Sequence, residues 1–353
     1  MPFTPAQLAQ GARYTIETFK KNDPIDQVNS ARPLLNWFMK NSENAVFGNG
    51  QYNENIYIAN NGNYQNYFGA DQVTYNQRDP VRQVKFQYAN YHDGFWFDDD
   101  QLAANGIIMS DDGSSTQTAD ELEVLANLLK QSYRALKESV QTGLDLELTD
   151  DGTASTKMTV GLDALVDTTP STGTVGGIDG ATSTYWRNYA SMAVSSAELI
   201  NQMEIMWRRT QLYGGKAPDF IVCGETFLDA YRVAASGLGG AGAIQRNVMV
   251  GDAKGGFSLD ASTSGLYFKG IPLVWNPTFE ALDVIKGAIT HPWTKRCYFL
   301  NSDTIKLKKM KGRWMQDAKP ARLPDRYVTY FGTRSSYVPI INKRSSNAVL
   351  SIA

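Results

Sequence analysis

Hydrophobic residues recur every three or four positions between residues 119 and 142, with charged residues mostly on the opposite side. The apolar stripe consists of Leu122, Leu125, Leu129, Leu136 and Val140, with Tyr133 at its border. This spacing predicts an amphipathic helix from about Ala119 to Thr142. Thr118 and Glu121 form a capping box at its start, and Gly143 is typical of the left-handed residue that ends a helix. At 1.5 Å per residue the helix would be about 36 Å long, enough for the spine of a lobe.

The segment from residue 46 to about 100 is dominated by Asn, Tyr, Gln and Gly. Two partly apolar runs, 56–58 and 64–68, flank Asn60-Asn61-Gly62-Asn63, which is a turn sequence. Three later residues alternate with polar neighbours, as in a half-buried strand: Val84, Phe86 and Tyr88. The pattern predicts a long β-hairpin. Because an isolated hairpin is marginally stable, we expect this ribbon to find its support on a neighbouring subunit.

The rest of the chain mixes predicted helices and strands. A Gly/Thr/Ser-rich stretch covers residues 149–184, and a second amphipathic helix follows from about Ser196 to Tyr213. That helix directs four residues inward: Leu199, Met203, Met206 and Trp207. A short helix is predicted at 225–235, and strands are predicted at 220–223, 270–275, 296–315 and 327–341. With an arm over residues 1–45 that Pro5, Pro24 and Pro33 interrupt, this order predicts an α+β fold.

Length and composition indicate a folded, soluble protein. A chain of 353 residues is long for one core and favours two lobes, or one lobe with large extensions. Its 42% hydrophobic and 20% charged residues exclude wholesale disorder. Neither an apolar run of about 18 residues nor a signal peptide occurs, so we expect a protein made in the cytoplasm without membrane contact. Cys223 and Cys297 are expected to pack as small apolar residues in a reducing compartment.

The net charge of −2 conceals an asymmetry. Residues 295–344 hold 13 Lys and Arg against three Asp, and the remainder of the chain is acidic. This polarity either lets copies pair head to tail or reflects a solvated basic face on one lobe. The basic run from Lys306 to Trp314 is typical of nucleic-acid binders, but its alternation with Ile305 and Leu307 also fits a strand with one wet face. Any nucleic-acid contact is expected to be weak and non-specific.

The sequence contains no motif of a catalytic or metal site. His92 and His291 are its only histidines and are far apart in the sequence. His-Glu-x-x-His, Cys-x-x-Cys and Gly-x-Ser-x-Gly patterns are absent. Three acidic groups, at Asp98-Asp99-Asp100, Asp111-Asp112 and Asp150-Asp151, lack the spacing of a calcium loop and indicate turns or helix starts.

The glycine-rich run Gly237-Leu-Gly239-Gly-Ala-Gly242 has the letters of the dinucleotide-binding fingerprint. That fingerprint follows a strand and opens a helix, which presents its amino terminus to the pyrophosphate. Here the run follows a predicted helix, so it indicates a loop. We therefore predict no catalytic residue, no cofactor and no metal, and a protein that is not an enzyme.

Three groups of residues, taken in their order along the chain, carry a family resemblance. The first is 161–166 with 172–179 and Tyr185-Trp186-Arg187-Asn188, the second is 218–222 before a helix with Tyr231, and the third is 298–301 with 305–307. They resemble the major capsid proteins of tailed bacteriophages, which share the Hong Kong 97-type capsid fold. In that family such segments lead into the axial lobe, form its next strand and helix, and return to the peripheral lobe.

The resemblance implies a division into five segments. They are an N-terminal arm (1–45), an extended β-hairpin loop (46–105), a peripheral domain with the spine helix (106–154), an axial α/β domain (155–280) and the return strands of the peripheral domain (281–353).

The resemblance also implies a function and partners. Copies would self-assemble into pentamers and hexamers of an icosahedral head that encloses double-stranded DNA, in a virion made in the host cytoplasm. The extended loop would lie over an adjacent subunit. Only about 45 residues precede the hairpin, too few for a fused scaffolding segment, so a separate scaffolding protein and a portal are implied. A decoration protein is a further candidate partner.

Two other functions stay open from the sequence. An encapsulin-type nanocompartment shell protein would share the fold and enclose a cargo enzyme, although its subunit is usually shorter and the long Asn/Tyr-rich hairpin favours the phage protein. A monomeric carbohydrate-binding protein would use exposed aromatic and Asn side chains that line one groove.

Overall fold

The computed structural model of the chain describes residues 31–47, 50–59, 62–98, 100, 119–237, 266–287, 289–317, 321–322 and 328–353. The fold is α+β, as predicted. Its contacts group into two units. The smaller unit contains Asn90–Leu144 and Gly312–Ser336, and the larger unit contains Ala31–Ala89, Asp145–Lys311 and Tyr337–Ala353. Most of the predicted arm, the Thr118 cap, Asp111-Asp112 and the glycine run after Gly237 lie outside the described residues.

A six-stranded mixed sheet forms the centre of the larger unit. Its strands are, in spatial order, β7 (Tyr189–Val194), β16 (Ala348–Ile352), β11 (Arg296–Leu300), β8 (Phe220–Cys223), β10 (Ile271–Trp275) and β9 (Tyr267–Phe268). β16 runs parallel to β7 and antiparallel to β11. Every residue of β11 and β16 is buried, as expected for strands covered on both faces. The predicted strands at 220–223 and 270–275 are confirmed.

Two helices cover this sheet and close its core. The helix α4 (Leu199–Thr210) contacts β7, β16 and α5 (Glu225–Gly237). Leu199, Met203 and Met206 are fully buried in the core, and Trp207 packs against it half-buried. The predicted inward face is therefore confirmed, although α4 is shorter than predicted at both ends. A further helix, α6 (Thr278–Lys286), follows β10.

The larger unit also holds a smaller set of strands. A helix, α1 (Pro33–Lys40), leads into β1 (Ser42–Ala45), which pairs in parallel with β12 (Ile305–Met310). β12 pairs in antiparallel orientation with the second half of β15 (Val328–Ile341). Three short elements lie between the long helix and β7: α3 (Leu162–Leu165), β5 (Thr174–Val175) and β6 (Ile178–Asp179).

The long helix α2 spans Ala119–Thr149, seven residues beyond the predicted end at Thr142. The predicted stop at Gly143 is wrong, because the helix continues and buries Leu144 and Leu148 in its last turns. This burial offsets the cost of about 1 kcal/mol that a glycine imposes inside a helix. Leu136 and Val140 of the predicted stripe are buried, whereas the side chains of Leu122, Leu125 and Leu129 lie outside the described part of the structure.

In the smaller unit, β4 (Ala89–Asp98), β13 (Gln316–Asp317) and β14 (Ala321–Arg322) all pair with the first half of β15. The ring of Phe95 stacks on that of Phe331 at 5.2 Å and meets Tyr133 of α2 edge-on at the same separation. Among the described helices of both units, none combines the length and apolarity needed to cross a bilayer.

Candidate functional site

A two-stranded ribbon leaves the larger unit and carries the largest group of exposed aromatic side chains in the described chain. Its stem pairs β2 (Gln51–Tyr57) with β3 (Val81–Gln87), from Gln51 opposite Gln87 to Tyr57 opposite Val81. The predicted hairpin and the alternation of β3 are confirmed. The predicted turn is wrong, because residues 64–68 form no strand and the partner of β2 begins only at residue 81.

The stem packs on its own subunit. Val84 and Phe86 are fully buried, and Val84 Cγ1 lies so close to Gly176 that an added Cβ there would be 2.1 Å away. The backbone N–H of Lys85 donates to the Gly176 carbonyl at 2.9 Å. Gly176 has φ +61°, in the turn between β5 and β6, where a residue without a side chain is needed. The expectation that the whole ribbon lacks support of its own is therefore wrong for the stem.

The ribbon tip, residues 62–80, has a different character. Tyr64, Phe68 and Tyr75 are 93%, 89% and 91% exposed, and Tyr67 is also exposed. Isolated exposed aromatics are common on protein surfaces, but four of them between residues 64 and 75 are typical of a binding surface.

Local hydrogen bonds shape the ribbon tip. The Asn63 Nδ2 donates to the carbonyl and hydroxyl of Thr74 at 2.5 Å each, which ties the two arms together. The Phe68 N–H donates to Asp71 Oδ2 at 2.9 Å, and Gly69 adopts φ +59°, so the chain reverses at 68–71. The tip thus presents its rings from a partly ordered loop, which lowers the entropy lost on binding.

The basic strand β12 is already paired within the larger unit. Lys306 and Lys308 both donate to the carboxylate of Glu43, on the parallel neighbour β1. These two hydrogen bonds lower the pKa of Glu43 from 4.5 to about 2. The ammonium of Lys308 also lies 5.3 Å from the centre of the Tyr52 ring. The predicted solvent-exposed face is thus wrong for Lys308, which is buried. Its partner Glu43 is far away in the sequence, so the local pattern does not indicate it.

The histidines and acidic groups do not form a reaction centre within the described residues. His92 lies in β4 of the smaller unit, and His291 lies in the larger unit, where burial lowers its pKa. The Asp151 carboxylate accepts from the Thr153 N–H and from Lys286, as expected for a turn. Across the described parts of both units, no group of three or more His, Cys, Asp or Glu side chains has the arrangement of a metal site.

Two buried arginines, which no sequence motif singles out, hold the larger unit together. Arg296 donates to Asp163 Oδ1 at 2.6 Å, and the hydroxyl of Tyr298 donates to the same oxygen at 3.1 Å. Burial raises the pKa of Asp163 to about 6. This cluster is a structural tie, because its members lie inside the fold rather than in a cleft.

The guanidinium of Arg344 is enclosed by backbone and amide oxygens instead of a carboxylate. It donates to the carbonyls of Ala164, Leu165 and Trp186 and to Asn188 Oδ1. Burial lowers the pKa of Arg344 to about 10. All four acceptors lie in two of the stretches that carry the family resemblance, 161–166 and 185–188, so Arg344 ties those stretches together.

Comparison with known proteins agrees with this architecture. No protein-family model matches the chain, and no curated protein matches it in sequence. Solved structures do match. The capsid asymmetric unit of cyanophage A-1(L) is similar at a TM-score of 0.59 with 15% identity, over 96% of this chain and 98% of that one. The capsid of Myoviridae phage XM1 gives a TM-score of 0.55 with 10% identity, over 96% and 98%.

The chain has the phage capsid fold. A capsid from a native GTA particle extends the likeness, with a TM-score of 0.50, 8% identity and coverage of 96% and 97%. The capsid fold predicted from the three groups of residues is confirmed, and so is its extent over nearly the whole chain. At these identities the likeness is one of fold, because few of the side chains are shared.

Proposed function

We propose that this chain is the major capsid protein of a tailed bacteriophage, whose copies assemble into pentamers and hexamers of an icosahedral head around double-stranded DNA. The observation that carries the proposal is the match of nearly the full length of the chain to nearly the full length of capsid proteins. The protein acts as a structural component of the virion, made in the host cytoplasm, and catalyses no reaction.

Within this proposal, the family's five segments apply with the boundaries that the resemblance implies. Residues 46–105 are the extended loop, and 106–154 with 281–353 are the peripheral domain that carries the spine helix. Residues 155–280 are the axial domain, and β11 and β16 from the 281–353 segment complete its central sheet. The ribbon described above supports the first assignment, since its stem is held by the subunit and its tip projects exposed rings.

The ribbon tip is the proposed contact with an adjacent subunit. Burying an aromatic ring stabilises an interface by roughly 25 cal/mol for each Å² of apolar surface removed from water. Four rings on one loop can therefore contribute several kcal/mol at each contact, and a closed shell repeats the contact for every subunit. Because the stem fixes the base of the loop, less conformational entropy is lost when the tip binds.

The proposal includes a separate scaffolding protein and a portal, with a decoration protein as a further candidate. Contacts with packaged DNA are weak and non-specific. Lys306 and Lys308, the first lysines of the basic run, share the carboxylate of Glu43, which offsets one of their two positive charges. This supports weak DNA contact, because paired ammonium groups attract phosphates less.

Assembly of the purified protein tests the proposal. We expect the wild-type chain, expressed with its scaffolding partner, to form shells visible by electron microscopy. The variant Tyr64→Ser/Phe68→Ser/Tyr75→Ser should form folded subunits that sediment without shells. The matched control Asn66→Ser/Asn76→Ser, which changes exposed polar residues of the same loop, should assemble normally. Normal shells from the aromatic variant would contradict the role of the ribbon tip.

The contents of the particles distinguish the capsid proposal from the main alternative, an encapsulin-type shell. An encapsulin-type shell would form without a portal and would enclose a protein cargo, which mass spectrometry of purified particles would detect. A sedimenting monomer under all conditions, with saccharide binding that the aromatic variant abolishes, would instead favour the carbohydrate-binding function.

A further inference from the structure

The two cysteines of the chain lie directly opposite each other in the central sheet. In the register of β8 and β11, Cys297 is the partner of Cys223. Both thiols are fully buried and belong to the same hydrophobic core, on the same side of the sheet. The two cysteines are close because strands far apart in the sequence pair with each other. Their spacing in the sequence therefore does not predict that they are close.

The hydrogen bonds of the sheet define the kind of pair that the cysteines form. The next opposed pair is Gly224 with Arg296, and the Gly224 N–H donates to the Arg296 carbonyl at 3.0 Å. Hydrogen-bonded and non-hydrogen-bonded pairs alternate along an antiparallel ladder, so Cys223 and Cys297 form a non-hydrogen-bonded pair. In such pairs the Cα atoms are about 4.5 Å apart and the side chains are closest. Disulfides span Cα separations of roughly 4.4–6.8 Å, so this pair lies inside the permitted range.

The surroundings keep both thiols unreactive while the sheet is closed. Burial raises the pKa of Cys223 and of Cys297, which disfavours the nucleophilic thiolate. The Cys223 Sγ lies 3.7 Å from the Val274 carbonyl oxygen, its only hydrogen-bond partner among the described contacts. Oxidation therefore requires either that β8 and β11 separate briefly or that it takes place while the sheet is forming.

We infer that Cys223 and Cys297 are a latent cross-strand disulfide, a site of oxidative modification that links β8 to β11 covalently. One thiolate attacks a small-molecule disulfide and releases one thiol. The second cysteine then attacks the mixed disulfide, and a second thiol leaves. An Sγ–Sγ bond replaces two S–H bonds, and both electrons and both protons pass to the small disulfide, which is reduced to two thiols.

The bond would matter where the protein meets an oxidising medium. Thiols stay reduced in a bacterial cytoplasm, whereas disulfides persist outside it. The timing of closure, after particles leave the host, rests on the proposed function, but the pairing itself rests only on the sheet register.

Refolding of the unassembled subunit tests the inference. We expect protein refolded in a mixture of reduced and oxidised glutathione to lose both free thiols, as counted with a chromogenic thiol reagent. Peptide mass spectrometry should find Cys223 linked to Cys297. Relative to protein refolded in dithiothreitol, the Tm should rise by roughly 5 °C, because the link restricts the unfolded chain.

Two single variants provide the controls. Cys223→Ala and Cys297→Ala each remove one sulfur, and neither should show a Tm that depends on the redox buffer. If either variant fails to fold, the two refolding conditions of the wild-type protein still decide the question. Free thiols after oxidative refolding, or separate glutathione adducts on the two cysteines, would overturn the inference. Since no step involves assembly, that failure would leave the capsid proposal unaffected.

Discussion

The central sheet and the ribbon tip are both rich in large apolar side chains, but they use them in opposite ways. In the sheet, Tyr298 and Phe299 of β11 are fully enclosed by the strands and helices of their own subunit. In the tip, Tyr64 and Tyr75 contact almost nothing in their own chain. The first region therefore stabilises the monomer. The second contributes little to the stability of the monomer, because its rings bury little surface in their own chain.

Because of this difference, the stability of the subunit and its assembly can be measured separately. A substitution in the sheet should change the free energy of unfolding of the subunit, and a substitution in the tip should change only assembly. Four predictions test that separation, beginning with the largest change in unfolding free energy.

Phe299→Ala should have the largest effect. It removes a fully buried ring that lies edge-on to Phe268, 6.1 Å away, and leaves a cavity in the core. Such truncations cost about 3–5 kcal/mol. Urea denaturation of the subunit, followed by fluorescence, would measure the loss. A change below 1 kcal/mol would mean that the sheet is not the main source of monomer stability.

Gly176→Val should release the ribbon stem. The new side chain would collide with Val84 and force a β-branched residue into a left-handed conformation, at a cost of about 2–4 kcal/mol. Limited proteolysis should then cut within β2 and β3. Gly177→Ala is the control, since Gly177 also has positive φ but nothing lies within 4 Å of an added Cβ, so the stem should stay protected. Equal protection of both variants would show that the stem does not depend on this contact.

Asp163 should give the larger unit a pH-dependent stability. Its pKa is near 3.8 when unfolded, and burial raises it to about 6 in the folded state. Because the folded state binds the proton more tightly, the contribution of this group is full below about pH 4 and is lost as the pH rises to 6. Denaturation of wild type and Asp163→Asn between pH 4 and pH 7 would measure it. The wild type should lose stability relative to the variant, and parallel curves would contradict the prediction.

Tyr75→Ala should have the smallest effect on the monomer. Its ring is exposed, so the unfolding free energy should change by less than about 0.5 kcal/mol. The same denaturation assay used for Phe299→Ala would test this. A loss of 2 kcal/mol or more would show that the ring packs on its own subunit, and would remove the distinction between the two regions.

Patterns with a local cause were predictable from the sequence. The inward face of α4 and the alternation of Val84 and Phe86 follow from periods of 3.6 and 2 residues, and both are confirmed. The family resemblance added the fold, because the order of several weak local matches is more specific than any one of them.

Features that depend on distant partners were not predictable. The register of the ribbon is set by the packing of Val84 on Gly176, which outweighs the local turn preference near residue 62. Alternation along β12 predicts solvent-exposed lysines, because it cannot indicate their partner Glu43, which lies in a strand more than 250 positions earlier in the sequence. Helix α2 passes Gly143 because tertiary burial of Leu148 outweighs helix propensity.

The strand order of the central sheet also sets the time course of folding. β16 lies between β7 and β11, so Ala348 must pair with Tyr189, which is far away in the sequence. Loop closure of that kind is slow, whereas β2 and β3 are separated only by residues 58–80 and can pair earlier. Newly made chains therefore expose the aromatic rings of the ribbon tip before their central sheet is complete. A host chaperone that shields those rings during this interval would raise the yield of usable subunits.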